Sequence, residues 1–216
     1  MLARSALFVE RKLLHALGLR TNAAVVDAAL VVVLDPAREQ AKFVLGCRDS
    51  ARGGIMHRHL AVYPGSFDPI TCGHLDIARR AANIFEHLIV AVAEHSGKNM
   101  LFSTDERAEL VRASVADLPN VEIRTFSGLL TDFVRQTGAR VIIRGLRAVS
   151  DFEYEFSMSL MNSHLAPEIE TMFLPTSEGY SFISSSMIKE VYRLGGDVGD
   201  TIPPCVLQAL AGKYHS

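Results

Sequence analysis

Along most of this chain, short apolar runs alternate with segments whose apolar residues recur at helical spacing. Short, nearly continuous apolar runs predict buried β-strands at residues 59–64, 87–94, 120–126, 140–145 and 169–175. Between these runs, apolar residues recur at helical spacing, as Leu75, Ala78 and Ala82 do after the first run. Strands that alternate with helices imply right-handed crossovers and a parallel sheet. The pattern therefore predicts an α/β, Rossmann-like fold, with a five-stranded parallel sheet and helices on both faces.

Local signals mark the ends of several predicted helices. Ser103 and Glu106 have the spacing of a capping box, and Gly138 is placed to end a short helix that begins near residue 128. A run of serines at 184–186 opens another helix, and a last helix is expected after Pro203 and Pro204.

The part of the chain before residue 58 follows a looser pattern. We predict an N-terminal extension of unknown role at residues 1–57 and a main domain at residues 58–216. Within the extension, the runs "LVVVL" and "KFVLG" flank a polar segment and predict a β-hairpin. The longest apolar stretch, at residues 23–34, contains Asp27 and is shorter than the ~20 residues of a membrane span.

Composition narrows the class of protein. The chain has 216 residues, of which 49% are hydrophobic, so it can bury a sizeable core. Its formal net charge of −2 gives no reason to expect a nucleic-acid partner. Its three cysteines, Cys47, Cys72 and Cys205, form no CxxC pair, so neither a zinc site nor a disulfide framework is indicated. We therefore expect a cytoplasmic protein without a membrane partner.

A polar loop follows the first predicted strand, at the sheet edge where ligands bind in such folds. This loop, "YPGSFDPITCGH", spans residues 63–74. Gly65 and Gly73 allow the backbone to approach a ligand closely, and Ser66 adds a hydroxyl. His74 falls in the first turn of the next helix, where the positive end of the helix dipole attracts anions. The alternative is a capped loop with a surface histidine.

Three further polar loops are expected at the same edge. "HSGKN" carries Lys98, either as a mobile charge for a ligand or as a solvated lysine. "IRGLRAVSDFEYE" carries Arg144 and Arg147, whose guanidinium groups suit phosphate oxygens. The structural alternative for them is an ion-pair network with Asp151, Glu153 and Glu155. The serines of "EGYSFISSSMIK" provide hydroxyl and N–H groups suited to phosphate.

Several other classes of site are excluded by missing motifs. The chain contains neither a GxxxxGK[ST] loop nor a GxGxxG segment after a strand, so it has no P-loop and no dinucleotide fingerprint. The residues indicate a site for phosphate-rich substrates without a covalent nucleophile.

Four segments together resemble the bacterial pantetheine-phosphate adenylyltransferases, which belong to the nucleotidyltransferase superfamily with a T/HxGH motif. These segments are "YPGSFDPITCGH", "IRGLRAVSDFEYE", "MNSHL" and "SFISSSMIKEV", and "TCGH" at residues 71–74 is the motif itself. The resemblance runs from about residue 59 to the C-terminus. It implies transfer of an adenylyl group from ATP to 4′-phosphopantetheine, giving 3′-dephospho-CoA and pyrophosphate in coenzyme A biosynthesis. It also implies Mg²⁺, a homohexamer, and CoA as a candidate feedback ligand.

The resemblance implies a role for individual residues. His74 would stabilise the transition state at the α-phosphorus. The phosphopantetheine side would comprise Ser66, Lys98, Leu130, Arg144 and Asn162. The ATP side would comprise Ser66, Phe67, His74, Gly145, Leu146, Arg147, Glu155, Tyr180, Ser181, Phe182, Ile183, Ser184, Ser185 and Ser186. No residue is implied as a metal ligand.

The chain departs from the family pattern in three places. Ser66 stands where the family often has Thr, and Gly128 stands where some members have Asp. The segment before residue 57 has no counterpart, and Met56 directly precedes the match, so our expectation for residues 1–55 is a start placed too far upstream. Two rivals stay open: a related transferase acting on nicotinate mononucleotide or glycerol 3-phosphate, and a non-catalytic nucleotide-binding module.

Overall fold

The computed structural model describes residues 30–35, 40–45, 60–94, 100–147 and 149–214. Seven strands in these residues form one sheet: β1 Leu30–Asp35, β2 Gln40–Leu45, β3 Leu60–Gly65, β4 His87–Ala93, β5 Val121–Phe126, β6 Val141–Leu146 and β7 Glu170–Pro175. Across the sheet their order is β2-β1-β7-β6-β3-β4-β5.

The helices lie where the sequence predicts them. They are α1 Cys72–Ile84, α2 Thr104–Ser114, α3 Leu130–Thr137, α4 Val149–Leu165, α5 Ser185–Arg193 and α6 Pro204–Tyr214, with a 3-10 turn at Glu178–Tyr180. The predicted capping box is present, since Ser103 N–H donates to Glu106 at 2.8 Å and Glu106 N–H donates to the Ser103 hydroxyl at 3.2 Å. Gly138 ends α3 with a φ of 76°, a conformation that favours glycine.

The predicted parallel sheet is confirmed for the strands β3 to β7. Val62 in β3 lies beside Ile89 of β4 on one side and Ile142 of β6 on the other, in parallel register. The chain thus leaves β3 in one direction for β4 and β5, then returns to place β6 on the opposite side. This reversal makes the carboxyl ends of β3 and β6 the switch point of the sheet, where a ligand crevice is expected.

The complete sheet is larger than the predicted one by the hairpin at its edge. β1 and β2 pair antiparallel, which confirms the predicted hairpin, and β1 also pairs antiparallel with β7 through Val32 and Phe173. The prediction of five strands was therefore right for the parallel part and did not anticipate that the hairpin would join it. A two-stranded hairpin alone is marginally stable, and an open sheet edge offers it backbone partners.

Side chains of the central strands alternate between two hydrophobic cores. In β3, Ala61 and Tyr63 enter one core and Val62 enters the other. The first core receives residues of α1, α2, α5 and α6, and the second receives Val134 of α3 together with Ala166 and Ile169 near the end of α4. Helices therefore cover both faces of the sheet, as predicted. Within the described residues, no helix is both long and apolar enough to span a membrane.

Candidate active site

A cleft of about 630 Å³ opens at the carboxyl ends of β3 and β6, at the predicted switch point. It is lined by segments that follow β3, β6 and β7, and by residues of α4 and α5. The predicted site residues that line it are Ser66, His74, Leu130, Arg144, Gly145, Arg147, Glu155, Ile183, Ser184, Ser185 and Ser186. Three of the four predicted loops therefore meet in one place.

Lys98, another predicted site residue, falls outside the described residues. The other remaining residues lie outside the lining of the cleft. Phe67 is buried beneath the cleft, with its ring 5.2 Å from the His74 ring, and Asn162 is buried in α4. Phe182 is 62% exposed. The structure brings neither these three nor Leu146, Tyr180 and Ser181 into the lining of the cleft.

His74 is held by the residue that caps its own helix. The Thr71 N–H donates to His74 Nδ1 at 3.1 Å, and the Thr71 hydroxyl lies 3.0 Å from the same atom. Because Nδ1 accepts a backbone N–H, the ring proton of the neutral imidazole is on Nε2. Burial, and then the positive charges of Arg147 and Arg144, lower the pKa of His74 to about 4. His74 is therefore a neutral residue with an Nε2–H donor at physiological pH.

Gly65 makes room for the ring of Phe67. A Cβ at this position would lie 2.8 Å from the ring of Phe67, so the ring itself occupies the space that glycine leaves. Phe67 has a φ of 48°, and its ring packs edge to face against both Tyr63 and His74. We infer that Gly65 lets the first loop fold under His74. Gly65 also lines the cleft, so the close approach of its backbone to a ligand stays a prediction.

Both arginines of the third loop make the ion pairs of the structural alternative, and both still line the cleft. Arg144 donates to the two carboxylate oxygens of Glu155 at 2.7 and 2.6 Å, and Arg147 donates to Asp151 at 3.0 and 3.3 Å. Arg147 also donates to the Ile183 carbonyl at 3.1 Å. Each side chain keeps some exposure to solvent, 28% for Arg144 and 39% for Arg147. Pairing with carboxylates thus orients the guanidinium groups without removing them from the cleft.

The serines at the start of α5 do different jobs. Ser184 caps the helix, because its hydroxyl accepts from the Met187 N–H at 3.2 Å. Ser185 donates to the Pro69 carbonyl at 2.8 Å and so ties α5 to the first loop. Ser186 lines the cleft. The N-terminus of α5 is therefore fixed against the first loop with its N–H groups at the cleft.

Asp68 and Lys189 are cleft residues that the sequence reasoning missed. Asp68 is 2% exposed and accepts from the N–H groups of Leu101 and Phe102 at 3.0 and 2.9 Å. It also accepts a hydrogen bond from Lys189, which lies on α5. The available signal for Lys189 was its helical spacing, since it follows Ser185 by four residues and so lies on the same side of α5.

No group of three or more His, Cys, Asp or Glu side chains suited to a metal ion occurs in the part of the chain that the structure describes. The negative side chains of the cleft, Asp68, Asp151 and Glu155, are each engaged by a lysine or an arginine. The described residues do not fit a metal ion held by the protein alone.

Comparisons with known proteins identify the family of this chain. The family described as cytidylyltransferase-like matches residues 62–191. A phosphopantetheine adenylyltransferase of Heliobacterium modesticaldum is 59% identical over 155 residues, which are 72% of this chain and 92% of that protein. The enzyme of the same name from Syntrophotalea carbinolica is 54% identical over 159 residues, covering 74% of this chain and 96% of its own.

A solved structure also shares the fold. It is a Vibrio parahaemolyticus protein assigned as a nicotinate-nucleotide adenylyltransferase, with a TM-score of 0.55 and 20% sequence identity. The match covers 73% of this chain and 96% of that one. At this identity the likeness supports the α/β fold alone.

Proposed function

The chain belongs to the phosphopantetheine adenylyltransferases, within the cytidylyltransferase-like family, and we propose that it transfers the adenylyl group of ATP to 4′-phosphopantetheine. The products are 3′-dephospho-CoA and pyrophosphate. The observation that carries this proposal is a neutral His74 with an Nε2–H donor, in one cleft with Arg144 and Arg147.

The chemistry asks mainly for alignment and for neutralisation of charge. The nucleophile is a phosphate oxygen, which is anionic at neutral pH, so the reaction needs no general base. Two polyanions must approach each other, and the positive side chains and helix N-termini of the cleft offset their repulsion. His74 would donate from Nε2 to the α-phosphate oxygens as negative charge accumulates there. A preset neutral donor needs no reorganisation when the transition state forms.

We assign the remaining site residues by the family resemblance. On the phosphopantetheine side these are Ser66, Lys98, Leu130, Arg144 and Asn162. On the ATP side they are Ser66, Phe67, His74, Gly145, Leu146, Arg147, Glu155 and the residues from Tyr180 to Ser186. Those that line the cleft can contact substrate directly. Phe67, which lies under the ring of His74, would act through that ring.

Magnesium would enter with ATP as part of the substrate. The described residues lack a cluster that would hold the ion, and the carboxylates of the cleft are paired with cations. The phosphate oxygens of ATP are suitable ligands for Mg²⁺.

The deciding experiment is a turnover assay that measures pyrophosphate release. Purified protein would be given ATP or CTP with phosphopantetheine, nicotinate mononucleotide or glycerol 3-phosphate, each with and without EDTA. We expect release only with ATP, phosphopantetheine and Mg²⁺. Release with another acceptor would support the rival transferases, and binding of ATP without any release would support a non-catalytic module.

We further propose a homohexamer, in which the exposed face of α4 contacts other copies. Tyr154, Met158, Met161 and Leu165 share one side of this helix and are 41–67% exposed. A contiguous apolar surface of this kind is typical of an interface. The number of subunits comes from the resemblance.

We make three further proposals, on location in the cell, on regulation and on domain organisation. The protein would be cytoplasmic, in keeping with its cysteine usage. CoA would act as a feedback ligand by competing for the same cleft, because it contains both the phosphopantetheine and the adenylyl group. Residues 58–216 would form the catalytic domain, and residues 1–57 an extension whose role is separate from catalysis.

A further inference from the structure

Arg107 carries a charge, and its side chain is among the largest fully buried ones in the described residues. It lies on α2, is 1% exposed, and does not line the cleft. Its hydrogen-bond acceptors are neutral carbonyl and hydroxyl oxygens. A buried cation is costly, and an apolar side chain of similar volume often supports a core equally well. Packing alone therefore does not account for a guanidinium group at this position.

The acceptors of Arg107 belong to different loops of the cleft. Nη1 donates to the Ser66 carbonyl at 2.6 Å and to the Ala93 carbonyl at 2.7 Å. Ser66 lies in the loop after β3, and Ala93 is the last residue of β4, and both line the cleft. Nη2 donates to the Glu94 backbone carbonyl at 3.4 Å and to the Thr104 hydroxyl at 3.0 Å. One planar group thus joins the ends of two neighbouring strands.

Asp68 holds the C-terminal end of the segment that follows β4. Its carboxylate accepts from the N–H groups of Leu101 and Phe102, and Arg107 Nε donates to the Phe102 carbonyl at 3.2 Å. The segment between Glu94 and Leu101 carries Lys98 in its sequence. Both ends of this segment are therefore attached to the first loop, one through Arg107 and one through Asp68.

We propose that Arg107 is a positioning residue for adenylyl transfer, because it sets the spacing between the Ser66 loop and the end of β4, which both line the cleft. The proposal rests on the proposed function, which assigns Ser66 to both substrates and His74 to ATP. The reacting atoms must come within about 3–3.5 Å, and a displacement of about 1 Å costs roughly 10²-fold in rate. A residue that fixes the separation of the loops therefore affects the rate more than the binding of either substrate alone.

The test is Arg107→Lys, which keeps the charge and loses the planar fork that reaches both carbonyl oxygens. We expect kcat for pyrophosphate release to fall by about 10- to 100-fold, while the Kd values for ATP alone and for phosphopantetheine alone change less than about threefold. Arg135→Lys is the matched control, since Arg135 is an exposed, ion-paired arginine on α3, and its kcat should equal that of the wild type.

Two results would overturn the proposal. One is an unchanged kcat with only a lower melting temperature, which would make Arg107 a purely structural residue. The other is a loss of binding for one substrate alone, which would mean that Arg107 shapes a single loop. If Arg107→Lys does not fold, Thr104→Val removes one acceptor of Nη2 and should lower kcat in the same pattern; an unchanged kcat would refute the proposal. A wild-type protein without turnover would instead refute the proposed function, and this inference with it.

Discussion

Glu155 accepts hydrogen bonds from Arg144 on both carboxylate oxygens, from Nε at 2.7 Å and from Nη2 at 2.6 Å. Arg144 Nη1 also donates to the Pro64 carbonyl at 3.2 Å. These contacts use three of the five N–H groups of the guanidinium, which leaves one on Nη1 and one on Nη2 for a ligand. Glu155 therefore fixes the plane of a side chain that faces the cleft, and it can affect substrate through Arg144.

Our first prediction is that Glu155→Gln, besides any effect on ATP, shares with Arg144→Lys an effect on phosphopantetheine. The amide loses the charge and one of the two acceptors, and the lysine loses the planar fork, so each change should raise the KM for phosphopantetheine by about tenfold. Because the two residues act as a unit, the double variant should be little worse than either single variant. Steady-state kinetics with each substrate varied in turn would measure this.

Two findings would contradict the first prediction. If Glu155→Gln raised only the KM for ATP, Glu155 would serve ATP without acting through Arg144. If the effects of the two changes simply added, the residues would act independently. A melting curve of each variant is the necessary control, since breaking a half-buried ion pair can also lower stability.

The second prediction concerns His74. His74→Ala should lower kcat by about 10²–10³-fold if Nε2–H acts as a transition-state donor. ATP binding should weaken far less, since such a contact contributes little in the ground state. His87→Ala, which changes an exposed histidine at the start of β4, is the control. An unchanged kcat with weaker ATP binding would make His74 a binding residue only.

Contacts between residues close in sequence were predictable, and contacts between distant ones were not. The capping box of Ser103 and Glu106 depends on one helical turn, so its spacing reveals it. The arrival of three loops at one cleft was predictable as well, because parallel strands place their carboxyl ends together. Asp68 contacts Lys189, and Arg107 contacts Ser66, and the partners in each contact are far apart in the sequence. No local spacing around Asp68 or Arg107 indicates these partners.

The sequence also does not show whether an arginine can form an ion pair and still face a ligand. Arg144 was expected either to bind phosphate or to join an ion-pair network. The structure shows the ion pair within the cleft, so these alternatives do not exclude each other. Which N–H groups of a guanidinium stay available depends on the geometry of its partners, and spacing in the sequence does not contain that geometry.

The third prediction is that a shortened chain beginning at Met56 folds and keeps its kcat. The described lining of the cleft lies entirely between β3 and α5. β1 lies beside β7 in the register of Val32 with Phe173 and Val33 with Met172, so its removal leaves β7 as an edge strand. Turnover and solubility of the shortened and full chains should be compared directly. Insoluble or inactive shortened protein would make the N-terminal segment part of the fold.

The fourth prediction tests the exposed face of α4 as the contact between copies. Met161 is 53% exposed, and Met161→Glu would place a charge in the proposed interface, where an unpaired buried charge is costly. Sedimentation velocity should show a smaller assembly than for the wild type. Leu194→Glu, at a 74% exposed position after α5, should leave the assembly unchanged. A monomeric wild-type protein, or an unaffected Met161→Glu variant, would contradict the proposed interface.

The fifth prediction follows from the protonation of His74. Burial, followed by the charges of Arg147 and Arg144, lowers the pKa of His74 from its ordinary value of 6.5 to about 4. Between these two values the unfolded chain binds a proton at His74 and the folded chain does not. Stability from this residue is therefore fully present above pH 6.5 and is lost as the pH falls toward 4. Protonation would also give Nδ1 a hydrogen and so break its bond from the Thr71 N–H.

Melting curves across this range would test that sign. The melting temperature of the wild type should fall between pH 6.5 and pH 4 more steeply than that of His74→Ala, because the variant lacks the group that takes up the proton. Above about pH 7.5 the two proteins should show the same dependence of stability on pH, because His74 is then neutral in the folded and the unfolded chain. Over pH 6–8 kcat of the wild type should show no step from this residue, since His74 of the folded chain stays neutral there. Equal slopes for the two proteins below pH 6.5 would mean that His74 titrates normally in the folded chain. In that case its ring would be protonated near pH 6, and the neutral Nε2–H donor assigned to the reaction would be wrong.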